Sequence, residues 1–469
     1  MKQDEVRMKR KVAFLFLAAL LLFQFTSSST TNAQSSFTRI LYLPFRVDYV
    51  AVSGDGQYFA VVNYTHLSYY SVEGGSLLWW NVSQYDSDHL PFLGVKVSYD
   101  GEYVAVGYGP STPWFGGVGF FDDATSRHGG GQSTTWAHLY SKVAAEVEGR
   151  SMDISDDGDY VAVAGTGDTV YYFKGCTSKT GTKISETDPH WNWKKQLVGM
   201  VAGELSCLDM TPNGRYIAVG GDNYSQVEGV WDWFWYVGFL DGWADYGSWS
   251  LWNFTGVEGL VDDVAVSNDG FGVVTSGRDM DLDRHRILYF GNSPSLSGTL
   301  TSSQWQYTEG GWEMMQVGLD SSGNKVAAGG LASATLEFWH NARSITGERT
   351  PDWTKDLTIY DLAMSSDGKV AVSTRESGSH YLRVFNSEGY ELGSDPIDSS
   401  GLVVSISRDG NVIAVCTLSA KSLYLYGFIS KPVGGVVLPV DKLMMLVPYM
   451  ATILVIATAT AVLSKKVKH

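Results

Sequence analysis

Val97-Ser98-Tyr99-Asp100-Gly101-Glu102-Tyr103-Val104-Ala105-Val106 reads as a strand, a tight turn and a second strand. Asp-Gly supplies the positive φ that a hairpin turn needs. The small, β-branched and aromatic residues that follow suit a buried strand. The unit returns as Ile154-Ser155-Asp156-Asp157-Gly158-Asp159-Tyr160-Val161-Ala162-Val163 and as Met210-Thr211-Pro212-Asn213-Gly214-Arg215-Tyr216-Ile217-Ala218-Val219. Weaker copies centre on Gly56, Gly270, Gly323, Gly368 and Gly410. Successive turn glycines lie 45, 57, 56, 56, 53, 45 and 42 residues apart. One hairpin per unit at that period predicts an all-β chain, a β-propeller with one blade per repeat.

Eight repeats predict eight blades, with seven as the alternative count. Strand Thr38 to Pro44 precedes the first repeat without a partner, and the last repeat is one strand short. Placing the first strand on the last blade closes the ring and removes an open edge. Outer strands carry Trp79, Trp136, Trp193, Trp305 and Trp353. Strands apolar on both sides fit blades packed between neighbours.

The ends have a different character. Lys9, Arg10 and Lys11 precede an apolar run from Val12 to Phe25 and a Ser/Thr-rich stretch to Ala33, the pattern of a secretory signal over residues 1–33. Fourteen residues fall short of the ~20 that a membrane span needs. Residues 34–430 are then the extracellular propeller and 431–442 a stem. Leu443 to Leu463 is long and apolar enough for a transmembrane helix, and residues 464–469 form a tail with Lys465, Lys466 and Lys468. Positive residues stay in the cytoplasm, so the propeller is expected outside, on a single-pass cell-membrane protein.

Formal charge is −16. Both ends are basic, so the propeller is strongly acidic. That composition excludes a nucleic-acid partner, since it repels phosphate. Cys176, Cys207 and Cys416 make an odd count. Cys416 reads as a small buried hydrophobe, and spacing alone leaves a Cys176–Cys207 bridge open.

The Ser-x-Asp-Gly hairpin followed by Tyr-Val-Ala-Val resembles the first turn of WD40 repeats. Trp339 falls where that family has the Trp of its Trp-Asp pair, but His340 follows it. Phe173, Phe385 and Tyr426 replace the Trp in other units, and the Gly-His pair is missing. Glu73-Gly74-Gly75-Ser76-Leu77-Leu78-Trp79 and the Trp-bearing outer strands look more like quinoprotein-type repeats. The order of signal, ectodomain, Pro-Val-Asp-Lys stem, helix and Lys tail resembles archaeal surface proteins. These resemblances imply a propeller, a fold that serves binding proteins and enzymes alike.

Catalytic motifs are missing: there is no Gly-x-Ser-x-Gly, phosphate loop, His-Glu-x-x-His or dinucleotide fingerprint. The turn carboxylates have a structural reading, as acceptors of backbone hydrogen bonds. The expected function is a surface module that binds or scaffolds a protein, glycan or envelope component. A quinone-dependent dehydrogenase is the alternative, and would need Ca²⁺ and a quinone in the central channel. Otherwise no cofactor is expected. Asp279, Asp281 and Asp283 form the best Ca²⁺ candidate, because alternating carboxylates can converge on one ion. Against it, Arg284 stands where a calcium loop needs Gly, and a solvated loop explains the same residues.

Asn63, Asn81, Asn223 and Asn253 open Asn-x-Ser/Thr sequons and are glycan acceptors if the host has the machinery. Asn63 and Asn223 are expected in exposed loops. Blade four is rich in Trp. Trp231, Trp233 and Trp235 alternate along a strand, followed by Val237 and Phe239. Packing between blades explains these rings. The functional reading is a hairpin that projects beyond the ring and exposes Trp243, Tyr246 and Trp249 as a platform for sugars or an apolar partner.

Overall fold

A computed structural model describes residues 35–430, apart from 45, 83–91, 110–115, 141–150, 165–168, 184–192, 197–202, 228–229, 245–249, 311–314, 332–333 and 418–421. The signal, stem, transmembrane helix and tail expected from the sequence lie outside the described residues. Among the described residues no helix is long and apolar enough to cross a membrane.

The described residues form eight sheets around a channel, antiparallel except at four short outer strands. Each blade is a meander of four strands, called a to d from the channel outward. The a strands are Tyr49–Val52, Phe92–Val97, Met152–Ile154, Gly203–Met210, Gly259–Val266, Met315–Leu319, Thr358–Met364 and Gly401–Ile406, for blades one to eight. Blade three is the plain form, with Met152–Ile154, Tyr160–Ala164, Thr169–Lys174 and Trp193–Gln196.

Closure follows the expected route. Blade eight runs in the order Ser35–Leu43, Leu423–Ser430, Val412–Thr417, Gly401–Ile406, so its outer strand comes from the other end of the sequence. Phe37 stacks on Tyr426 with ring centroids 5.0 Å apart, and Tyr42 packs against Tyr424 at 4.9 Å. The closing strand begins at Ser35 and stops at Leu43, leaving out Pro44, which has no N–H to give a ladder.

The core is divided between the seams. Val104, Val106 and Phe121 of blade two face Tyr69 and Trp79 of blade one. On the other side of the same sheet, Ala105, Phe120 and Trp136 face Val161, Val163 and Tyr171 of blade three. A blade buried on both faces needs apolar residues at consecutive positions, and this explains the runs such as Val104-Ala105-Val106.

Blades one, two, four and five add a short fifth strand in parallel at the outer edge. For example, Gly181–Lys183 pairs with Trp136 to His138. Blade four departs furthest from the plain form. Its b and c strands, Tyr216–Val227 and Val230–Asp241, pair over their whole length to Val227 opposite Val230. The lengthened hairpin lies between strands b and c; residues 245–249 of the c–d connection, where the sequence suggests a projecting hairpin, lie outside the described residues.

Candidate functional site

Three sets of bonds stitch each blade to the next and shape the channel. The first lies at the a–b turns. The Ser98 hydroxyl donates to Asp100 at 2.9 Å, and Asp100 accepts the Glu102 N–H at 3.0 Å. This holds the turn with Gly101 at φ 80°. The turns then bond to each other. Tyr99 N–H donates to the Asp156 carbonyl (3.1 Å), Asp156 to Pro212 (2.8 Å), Asn268 to Ser321 (3.1 Å), Ser321 to Ser366 (3.3 Å), Ser366 to Arg408 (2.9 Å) and Arg408 to Gly54 (2.9 Å). Asp55 donates to Tyr99 at 2.9 Å. The belt is open at Pro212, which has no N–H.

The second set lies along the channel wall. A carboxylate on one a strand accepts an N–H of the next. Asp153 accepts from Met210 (3.2 Å), Asp209 from Val266 (2.7 Å), Asp263 from Val317 (3.1 Å) and Asp361 from Val404 (2.6 Å). The Ser405 hydroxyl does the same for Val52 at 3.1 Å. These bonds satisfy amides that face the channel instead of a ladder. The ladder slips by one residue just before Asp263 and Asp361. Such a bulge re-aims the side chains on either side of it. Asp262 consequently also reaches blade six, accepting from Met315 at 3.1 Å.

The third set lies on the outer strands. The indole N–H of Trp79 donates to the Ala124 carbonyl (2.7 Å), Trp136 to Cys176 (2.9 Å), Trp252 to Ser293 (3.0 Å), Trp305 to Ala342 (3.0 Å) and Trp353 to Ser387 (2.7 Å). Each acceptor lies on the following blade, just after its c strand. These five outer tryptophans are thus inter-blade hydrogen-bond donors as well as packing groups. Trp252 does this for blade four. The irregular pairing between Phe239 and Leu240 sets the parity that buries it, and alternation in the sequence alone misses this.

Inside, the channel holds a cavity of about 400 Å³ lined by Lys96, Asp209, Asp263, Gln316 and Asp361 among apolar residues. Lys96 Nζ lies 3.6 Å from Asp153. Burial acts to lower the Lys96 pKa, but Asp153 and Asp209 outweigh it and hold the ammonium charged. Burial and the nearby Asp153 push Asp209 up to about 7. At the a–b end the mouth is crossed by an ion pair. Arg408 of blade eight bonds through both terminal nitrogens to Asp156 of blade three, with its guanidinium 5.3 Å from the Tyr99 ring centre.

Asp279 is buried and ion-paired with Arg286 at 2.6 Å, and accepts the Leu282 N–H at 3.0 Å. Asp281 and Asp283 are exposed, with Asp283 3.9 Å from Arg278. Among the described residues no three His, Cys, Asp or Glu side chains are grouped to hold a metal. Asn63 sits in the b–c turn, where its side-chain oxygen accepts the Thr65 and His66 N–H groups at 3.0 and 2.7 Å. Asn223 is not in a loop. The lengthened b strand of blade four runs past it and buries its side chain. Asn81 and Asn253 are also buried, on d strands.

Trp235, Val237 and Phe239 are fully buried, and the Trp235 indole donates to the Arg278 carbonyl at 2.7 Å. Trp243 is exposed, with the Arg215 guanidinium 5.5 Å from its ring. Tyr246 and Trp249 lie outside the described residues. Cys176, Cys207 and Cys416 are separate, buried thiols, so Cys176 and Cys207 are not bridged. Burial pushes all three thiols up.

No protein-family model matches the sequence, and no curated protein is similar to it. The fold does have solved counterparts. The Dos1 propeller superposes with a TM-score of 0.58 at 12% identity, covering 85% of this chain and 95% of that one. The C-terminal WD40 domain of Sif2 gives 0.56 at 10%, covering 84% and 99%. The Cps50 (Swd1) propeller of Myceliophteria thermophila gives 0.50 at 12%, covering 84% and 100%. At these identities the likeness is one of fold: an all-β, eight-bladed, WD40-like propeller.

Proposed function

We propose that this chain is a non-enzymatic binding or scaffold module, carried on the outside of a cell by its C-terminal apolar segment. The observation that carries the reading is an arc on the a–b face of blades one to four. Tyr58, Tyr103, Tyr160 and Tyr216 stand at the same place after their turn glycines. Exposed Tyr99 and Trp243 add two further rings to it. Asp55, Asp100, Glu102, Asp157 and Asp159 alternate with them. Rings among carboxylates suit a protein partner with basic and apolar groups, since Tyr and Trp anchor interfaces and charge complementarity steers association. The same carboxylates oppose a polyphosphate. The belt holds the arc on a rigid support.

The test compares partner capture from the native envelope by wild type and by Tyr99→Ala/Trp243→Ala. The double variant should keep its melting temperature, since exposed substitutions cost about 0.5 kcal/mol or less. It should lose the partners that the wild type retains. Equal capture by both proteins overturns the arc as the binding surface. Orientation is checked by adding protease to intact cells, which should digest the propeller. A protected propeller reverses the topology.

A further inference from the structure

Seven residues before each turn glycine, every blade places one residue at the same level of its a strand. Blades five, six and seven place Asp263, Gln316 and Asp361 there. The other blades place Tyr49, Gly94, Ser151, Cys207 and Val403 at that level, so the polar stretch covers one side of the ring. Asp263 and Asp361 each bond an amide of the next blade. Gln316 stands between them and is 3% exposed, yet among the described residues its Nε2 has no hydrogen-bond partner. A buried donor left unmatched is costly, so a ligand acceptor that meets it gains affinity. Asp263, Gln316 and Asp361 all line the 400 Å³ cavity, where Asp209, Asp263 and Asp361 stand against the single ammonium of Lys96.

We propose that this side of the channel is a binding site for a small organic ammonium that also carries a hydroxyl, such as an amino sugar. The excess carboxylate charge takes the ammonium. Gln316 Nε2 donates to the hydroxyl oxygen. Apolar residues of the wall, Val50, Leu208 and Leu362 among them, cover the carbon frame. The charge balance selects against anions, and the lone amide selects against cations that offer no acceptor. This site lies inside the ring and is separate from the arc on the a–b face. Failure here with partner capture intact would leave the proposed surface function standing.

The test is titration calorimetry on the full-length protein with glucosamine, glucose and putrescine. Glucosamine should give a saturable heat. Glucose, which lacks the ammonium, and putrescine, which lacks the hydroxyl, should each bind at least about tenfold more weakly. Gln316→Leu should weaken glucosamine about tenfold and leave putrescine unchanged. Asp361→Asn keeps an oxygen for the Val404 N–H, so the fold is retained, and it should weaken both amines. The proposal is overturned if neither amine gives a saturable heat. It is equally overturned if glucosamine binds both variants as it binds the wild type, the result expected of a channel that holds only water.

Discussion

The ring of Tyr103 occupies the space in which a side chain on Gly158 would begin, one blade further round. Tyr58 stands over Gly101 in the same way, Tyr160 over Gly214 and Tyr216 over Gly270. In blades six and seven Lys325 and Lys369 take the place of the tyrosine, over Gly368 and Gly410. The glycine is therefore required twice: by its own turn, at φ 70° for Gly158, and by the ring of the preceding blade. Gly158→Ala should cost about 2–4 kcal/mol, from backbone strain together with overpacking. Urea denaturation measures it. Tyr103→Ala in the same chain should recover part of the loss, and a purely additive double variant would refute the cross-blade contact.

Removing the closing strand should cost the ring its cooperativity. Without Ser35–Leu43, Leu423–Ser430 becomes an open edge and Tyr426 loses the Phe37 ring. Calorimetry should then show a broadened or absent transition. An unchanged melting temperature would refute closure by this strand.

Asp209 gives the fold a pH dependence of definite sign. Its folded pKa, about 7, is raised above the unfolded value near 3.8, so the folded state holds the extra proton between them. Stability from this group is full below pH ~4 and declines as pH rises towards 7. The loss is about 1–4 kcal/mol. Asp209→Asn keeps an acceptor for the Val266 N–H and should flatten the decline over that range. Identical pH profiles of melting temperature for the two proteins would count against it.

Trp136→Phe keeps the ring and removes one donor, leaving the Cys176 carbonyl without its indole. The expected loss is about 1–2 kcal/mol in urea denaturation. Trp243→Phe, at an exposed position, serves as the control and should cost about 0.5 kcal/mol or less.

Sequon use should follow burial. Among the four, Asn63 is the residue with an exposed neighbourhood, beside Tyr64 and His66. Mass spectra of native protein should find glycan there in preference to Asn81, Asn223 and Asn253. Occupancy of those three with Asn63 bare would contradict the packing of blades one and four.

The ring, its blade count and its closure were legible because turn chemistry repeats locally: Ser, Asp and Gly act within six residues, and their period survives variation elsewhere. The long b–c hairpin of blade four was not, because nothing in Trp231 to Phe239 says how far its partner strand extends. The channel side chains were hidden for a related reason. Asp153 and Asp209 look like two acidic residues among many until they are counted back from Gly158 and Gly214, which puts both at one level of the wall. Arg408 and Asp156 are 252 residues apart and meet only because the ring closes.

The belt of turn amides has an electrical consequence. Every donor points to the following blade, so its peptide dipoles, about 3.5 D each, run head to tail round a circle. Vectors tangent to a circle cancel, unlike the dipoles of a helix, which add. The backbone consequently gives the mouth almost no polarity of its own. Its sign rests on side chains, the Asp156–Arg408 pair that crosses it and the turn carboxylates such as Asp55, Asp100 and Asp157 around it, so replacing Arg408 removes a cation and makes that entrance attract cations more strongly.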